Sequence, residues 1–343
     1  MNPQKSIVFI QTAFIGDLFL SLPTLQQIRN AYPEHQIILV CKKGLSEYFI
    51  KENKVDVAFE VEKGKSNSYS EAVLKINQHL VDVVLCPHRS FRSAWLAFQI
   101  KAPVKVGFSS WWGRLFFNKT VTYQKTWPDV IRQLNILSVL SPSVRAEIEK
   151  KDWSYLNFCD SNGAFPSIPS FFQFPQSQQT LRKNNVTAVF PGSVWKTKQW
   201  TFEGFTEVVT ELLSQGHRVL LMGGPTEKEI CDQIQKINPK SENWAGRLSL
   251  YESILKIKEC QQVLCNDSAP AHMAASLGIP VVSIFGPTTV GLGFRPWNDQ
   301  SFVVENLDID CRPCGAHGHN QCPKGHHRCM KNLSSKNVFQ KLI

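Results

Sequence analysis

No long uninterrupted apolar run opens the chain. In MNPQKSIVFIQTAFIGDLFLSLP the apolar stretch is broken by Gln11, Gly16 and Asp17, a pattern that fits neither a signal peptide nor a spanning helix. The expectation is a cytoplasmic protein. Lys and Arg are spread along the chain without a long basic run, which argues against a nucleic-acid-binding arm. No internal repeat at solenoid spacing occurs. Without an export signal the ten cysteines are not expected to build a disulfide framework. Six of them (Cys41, Cys86, Cys159, Cys231, Cys260 and Cys265) lie singly in or beside apolar segments and read as small core hydrophobes.

What is present is enough for two ordinary domains, since 343 residues with 43% hydrophobic content supply two cores but hardly three. A formal net charge of +10 draws the surface to anionic partners. Nucleic acid, nucleotide phosphates and an acidic membrane leaflet all qualify.

The first half alternates short apolar strands with helical patterns: SIVFIQ, a helix from about Asp17 to Ala31, QIILVC, then VDVVLC before FRSAWLAFQI. Leu18, Leu22, Leu25 and Ile28 recur at helical spacing and predict one buried stripe. Strands buried on both faces with helices between them imply α/β folding on a parallel sheet. Repeated Pro, Ser and Gln over 161–185 read as an interdomain linker. The expected division is therefore a first domain over 1–160, a second over 186–310 and a Cys/His-rich tail over 311–343. In the second domain the pattern predicts a helix from about Phe202 stopped by Gly216, helices near Glu227–Lys236 and Tyr251–Cys260, the strand QQVLC, and a short helix capped by Gly278.

The sharpest motif is CNDSAPAHMAASLGIPVVSIFGPT, residues 265 to 288. A strand runs into Asp267 and Ser268, and a helix start with free N–H groups follows, which favours a pyrophosphate. The plain alternative makes Asp267 or Ser268 an N-cap and His272 a core residue. The loop PGSVWKTKQW, residues 191 to 200, brings Ser193, Lys196 and Lys198 to the end of the preceding strand, where a lysine can meet the same phosphates at a switch point. It reads equally as a solvated basic loop with Trp200 packed beneath. GGPTEKE offers Glu227 to a ribose hydroxyl. In QTAFIGDLFLSLP, Asp17 stands where the first strand passes into helix: a cap, or a carboxylate able to take a proton from an acceptor hydroxyl. Arg89 and Arg92 in PHRSFR are candidates to hold acidic groups of an acceptor, or ordinary surface charges.

Taken together, FIGDLFLSLPTLQQIRNAYP, PGSVWKTKQW, GGPTEKE and NDSAPAHMAASLGIPVVSIFGPT resemble glycosyltransferase family 9, the ADP-heptose:lipopolysaccharide heptosyltransferases, over residues 5 to 330. The resemblance implies the GT-B architecture, two Rossmann-like doubly wound domains facing a central cleft, and an inverting transfer without a metal ion. It implies an ADP-heptose donor and a lipid-linked acceptor, the lipid A–Kdo inner core, met at the anionic inner face of the cytoplasmic membrane, with no nucleic-acid partner. By the same resemblance Asp17 matches the catalytic aspartate and Lys198 the lysine that contacts the donor phosphates. Ser193 matches a phosphate-binding hydroxyl, Glu227 a donor-contacting glutamate, and Asp267, Ser268 and His272 the donor block. The family's usual glycine in that block is Ala269 here. A methyl group there is accommodated where φ is negative and crowds the phosphate where it is not.

The tail CRPCGAHGHNQCPKGHHRCM holds Cys311, Cys314, Cys322 and Cys329 with His317, His319, His326 and His327. Its C-x2-C pair admits structural zinc, but the remaining spacing fits no familiar finger. Packed, reduced thiols are the expectation. A different donor, an epimerase on the same architecture, or a nucleic-acid module built on the tail are the competing readings.

Overall fold

A computed structural model describes residues 4–161, 163–175 and 184–342. The chain divides into two compact units, Met1–Trp153 and Ser154–Ile343. Of the stretch expected as a linker, residues 162 and 176–183 lie outside the described residues.

The first unit is a six-stranded parallel sheet: β1 (Lys5–Gln11), β2 (Gln36–Lys42), β3 (Val57–Val61), β4 (Leu80–Cys86), β5 (Val104–Phe108) and β6 (Lys119–Val121), in the order β3-β2-β1-β4-β5-β6. The continuous apolar runs of β1, β2 and β4 suit strands covered on both faces. Ile7 to Ile10 are wholly buried, and Val8 lies opposite Ile38 on one side and Val84 on the other. The order reverses between β1 and β4. That is where an open α/β sheet parts its loops and leaves room for a ligand at the carboxyl ends of its strands.

The single helix expected over Asp17 to Ala31 is two, Ile15–Phe19 and Leu22–Ala31. Pro23 explains the break. It has no N–H to give to the Phe19 carbonyl, and its ring crowds that carbonyl. The apolar stripe survives across the interruption, with Leu18, Leu22, Leu25 and Ile28 all buried.

The second unit repeats the plan with β7 (Val186–Phe190), β8 (Arg218–Leu221), β9 (Glu242–Asn243), β10 (Gln262–Asn266), β11 (Val281–Phe285) and β12 (Phe302–Glu305), ordered β12-β11-β10-β7-β8-β9 and parallel throughout. Its switch point lies between β7 and β10. Helix Phe202–Ser214 begins on Thr201, whose hydroxyl accepts from the Gly204 N–H at 3.0 Å. It turns Phe205, Val208, Val209 and Leu212 to the sheet. It ends with Gly216 at φ 81°, where the His217 N–H reaches the Leu212 carbonyl and the Gly216 N–H reaches Leu213, the closure that a left-handed residue allows.

Two stretches expected to lie outside the domains belong to the core of this unit. Phe165, Ile168, Phe172 and Phe174 are buried, and the Trp297 indole donates to the Phe172 carbonyl at 2.7 Å. In the tail, Met330, Val338 and Leu342 join Phe205 and Val209 in one apolar cluster. Five of the six single cysteines are buried as expected; Cys159 is half-buried, against the small cluster around Phe165 and Phe285. No described helix is long and apolar enough to cross a membrane.

Candidate active site

In the first unit the candidate residues gather at the carboxyl ends of β1, β2 and β4. Asp17 sits in the first turn of the short helix after β1, and its Oδ2 accepts the Phe14 N–H at 3.1 Å. It therefore does satisfy an orphan donor of the helix start. Its ionisation is nonetheless far from ordinary. Burial, and next the negative charge of Asp129, raise its pKa from 3.8 to about 7, against the backbone N–H groups and Lys42, which favour the anion.

A buried polar network supports the Asp17 turn from below. The Gln133 amide donates to the Asp17 carbonyl at 2.9 Å and to Asp129 Oδ2 at 2.6 Å, and its carbonyl oxygen accepts from the Ser21 hydroxyl at 2.6 Å and from Gln11 at 3.2 Å. Arg132, almost wholly buried, pairs with Asp129 at 3.1 Å. Each member meets a partner, as a buried polar group must. Sequence reasoning found none of these residues, because Gln133 is 116 positions away from Asp17 and looks like any polar helix residue.

Beside Asp17, Thr12, His88 and Ser93 form a second knot, with Thr12 Oγ1 to Ser93 Oγ at 2.8 Å and His88 Nδ1 to Ser93 Oγ at 2.8 Å. Burial, then the positive charge of Lys42, bring the His88 pKa down to about 4, so this imidazole is neutral at physiological pH. Arg89 follows β4 and lies 4.0 Å over the Tyr123 ring; it lines a pocket with His88, Ser110 and Trp112. Arg92 is 5.9 Å from the Tyr69 ring. The structure thus brings Asp17, His88 and both arginines to one end of one sheet.

In the second unit the loops PGSVWKTKQW and NDSAP meet at the β7/β10 switch point. Lys198 Nζ lies 2.6 Å from Asp267 Oδ2, with both side chains largely buried. The same oxygen accepts the Thr288 hydroxyl at 2.6 Å. Asn266 ties the loop to the strand end: its side chain accepts the Trp200 N–H at 2.9 Å and donates to the Pro191 and Gly192 carbonyls at 2.9 and 3.1 Å. Trp200 is buried below, 5.1 Å from Phe205.

Neither Asp267 nor Ser268 caps the next helix. Ser268 is the residue before helix Ala269–Ser276, but its hydroxyl turns back to the Asn266 carbonyl at 3.2 Å, and Asp267 is occupied by Lys198 and Thr288. Ala269 is not among the residues with positive φ, so its methyl group brings no backbone strain. His272 is buried in that helix. Glu227 accepts the Gly224 N–H at 2.8 Å and lies against Gly192 and Gly223, where any Cβ would collide with its side chain. Glycine at those two positions lets the third loop come up against the first. Ser193 sits in the same loop, its carbonyl accepting from Gln199 at 2.8 Å.

The tail, read from sequence as a separate packed element, braces these loops. Thr197 lies between the two lysines. Its N–H donates to the His319 carbonyl at 3.0 Å, its hydroxyl bridges the His319 N–H at 2.7 Å and carbonyl at 2.9 Å, and its own carbonyl meets His327 Nε2 at 2.8 Å. Arg312 donates to the Thr288 carbonyl at 2.8 Å, pairs with Glu305 at 2.6 Å and bonds the Gly286 carbonyl. The Cys314 N–H reaches the Pro287 carbonyl at 2.8 Å. A continuous path therefore runs from Arg312 through Thr288 and Asp267 to Lys198. Among the described residues no three His, Cys, Asp or Glu side chains are grouped as a metal ion would require.

The model of glycosyltransferase family 9 (heptosyltransferase) matches residues 73–324, a span that takes in the loops at the β7/β10 switch point and the first part of the tail. The chain belongs to glycosyltransferase family 9. Lipooligosaccharide heptosyltransferase 2 of Campylobacter jejuni subsp. jejuni serotype O:6 is 25% identical over 335 residues, covering 96% of this chain and 95% of the relative. Among solved structures, the family 9 glycosyltransferase of Veillonella parvula DSM 2008 superposes with a TM-score of 0.75 at 22% identity, covering 100% of this chain and 97% of the other. E. coli ADP-heptose lps heptosyltransferase II does so at 0.74 and 18%, covering 98% and 97%. The family 9 enzyme described here is a glycosyltransferase, and its two parallel six-stranded units are the Rossmann-like domains of the GT-B class.

Proposed function

We propose that the enzyme transfers a heptose from ADP-heptose to the inner core of a lipopolysaccharide, on the lipid A–Kdo acceptor, with inversion at the anomeric carbon, working at the inner face of the cytoplasmic membrane. The observation that carries the proposal is the meeting of Lys198, Ser193, Glu227 and the Ser268 helix start at the carboxyl ends of β7, β8 and β10. A nucleoside diphosphate needs a cation, amides aimed at its oxygens and a carboxylate for its ribose, and these loops supply all three. The names of the similar proteins agree in the sugar, since they are heptosyltransferases.

In the proposed reaction the acceptor hydroxyl attacks the anomeric carbon as the bond from that carbon to the diphosphate oxygen breaks. Asp17 takes the hydroxyl proton. The electron pair of the broken bond leaves with ADP, and its charge falls on Lys198 and on the amides at the start of helix Ala269–Ser276, with no step routed through a metal. Asp267 positions Lys198: it holds one N–H of the ammonium and leaves two for phosphate oxygens. Arg89 and Arg92 hold anionic groups of the acceptor.

A donor screen tests the sugar and the base together. With a lipid A–Kdo acceptor, ADP-heptose should yield free ADP and an acceptor heavier by one heptosyl residue, while UDP- and GDP-sugars should yield neither. Transfer from a UDP-sugar at a comparable rate overturns the donor assignment.

A further inference from the structure

The longest acid-free stretch of the first unit carries an exposed aromatic face. From Val83 to Pro128 there is no Asp or Glu, while seven Lys or Arg and ten Phe, Tyr or Trp fall within it. Helix Phe91–Gln99 turns Ser93, Ala94, Leu96 and Ala97 inward and leaves Phe91, Trp95 and Phe98 outward at spacings of four and three. These three are 56, 45 and 46% exposed. Folding has not left them scattered. Trp95 stacks on Phe98 at 5.5 Å, and Phe116 from the next helix closes the group at 5.5 to 5.7 Å from Phe91, Trp95 and Phe98. Leu115 beside it is 65% exposed. A contiguous apolar patch on an otherwise ordinary surface marks an interaction site.

The surroundings indicate the occupant. Lys105 lies 5.4 Å from the Phe98 ring, and Arg92, Lys101 and Arg114 are exposed on the neighbouring turns. Aromatic rings amid cations, on a stretch of chain that holds no Asp or Glu, are the chemistry of a lipid interface, where rings enter the headgroup layer and ammonium and guanidinium groups meet lipid phosphates. A second copy of this face would set like charges against each other. A groove for nucleic acid would track cations along a backbone, whereas here four rings pack on one another and the exposed cations flank them in sequence.

We infer that the face made by helix Phe91–Gln99 and Leu115–Phe116 docks the enzyme on an anionic phospholipid bilayer. Resting on the reading above that the acceptor is lipid-linked, this surface adjoins Arg89 and Arg92 in sequence and carries the first unit to the layer from which that acceptor projects.

The test is flotation of the full chain with vesicles of phosphatidylethanolamine and phosphatidylglycerol, without donor or acceptor, beside vesicles of phosphatidylcholine alone. Binding should be confined largely to the anionic vesicles and should quench with a blue shift of tryptophan emission. The double substitution Trp95→Ser and Phe98→Ser should lower vesicle affinity tenfold or more while ADP binding, a property of the other unit, is unchanged. Because those rings support one another, a second variant, Lys101→Glu with Arg114→Glu, changes only exposed charge and should also weaken binding about tenfold. Equal binding to neutral and anionic vesicles, undiminished binding by either variant, or tighter binding to an oligonucleotide than to vesicles overturns the inference. Since no sugar substrate is present, failure of the heptose assay leaves this result standing, and the reverse.

Discussion

Lys198 and Asp267 form a largely buried ion pair at 2.6 Å, joining the loop after β7 to the turn after β10. A cation held in this way keeps its direction when a diphosphate arrives, so little reorganisation is needed as the leaving group gains charge. The pair also has a structural role. Lys198→Ala leaves Asp267 buried with only Thr288, and an uncompensated buried charge is costly, on the order of 3 kcal/mol. Turnover should fall about a hundredfold or more and the melting temperature by several degrees. Unchanged kinetics at saturating ADP-heptose would remove Lys198 from the site.

The ionisation of Asp17 sets a pH profile. In its proposed role as base it acts only when deprotonated, and burial beside Asp129 holds its pKa at about 7. The rate at low acceptor concentration should rise through neutrality, with a midpoint near pH 7 and about a tenth of the plateau at pH 6. The stability consequence has the opposite direction. A folded-state pKa above the unfolded value of 3.8 means the native protein holds the proton more tightly. Its contribution is full below about pH 4 and lost as pH rises through 7. Wild type should therefore lose melting temperature between pH 5 and 8 relative to Asp17→Asn; parallel curves would mean that Asp17 ionises normally.

Thr197 is the hinge pin between the lysine loop and the tail. Thr197→Val keeps the shape and removes the hydroxyl that bridges the His319 N–H and carbonyl, leaving the half-buried His319 amide short of its acceptor at a cost of about 1 kcal/mol. ADP affinity, read by calorimetry, should drop several-fold although Thr197 itself meets no phosphate. Wild-type affinity would show that the tail has no influence on the donor loop.

The tail is held by Arg312, Met330 and the Thr197 bonds. Purified protein should carry substoichiometric zinc, and a chelator should leave its melting temperature unchanged. Stoichiometric zinc with chelator-induced unfolding would contradict this, because structural zinc contributes directly to folding.

Much of this was legible in the sequence. Apolar strand runs such as SIVFIQ and PVVSIFG and glycine stops at Gly216 and Gly278 announce themselves locally, because burial on two faces and left-handed φ leave residue-level signatures. Loop convergence was legible too, since topology fixes which strand ends neighbour one another. Three features were not. Pro23 splits a helix whose stripe is periodic on both sides, so periodicity alone joined the halves. Gln133 and Asp129 support Asp17 from more than a hundred positions away, and no spacing rule reaches that far. Arg312 and Thr197 look like solvated residues in polar segments, and only the folded tail makes them braces.

Asp17 carries the central claim, and one substitution separates its two roles. Asparagine at 17 can still accept the Phe14 N–H, so a purely capping residue predicts nearly normal transfer. A base cannot be replaced in this way, since the amide takes no proton. Heptosyl transfer from ADP-heptose by Asp17→Asn, followed by mass spectrometry of the acceptor, should be slower by roughly 10² to 10⁴ with ADP affinity unchanged. Transfer near the wild-type rate would contradict the mechanism.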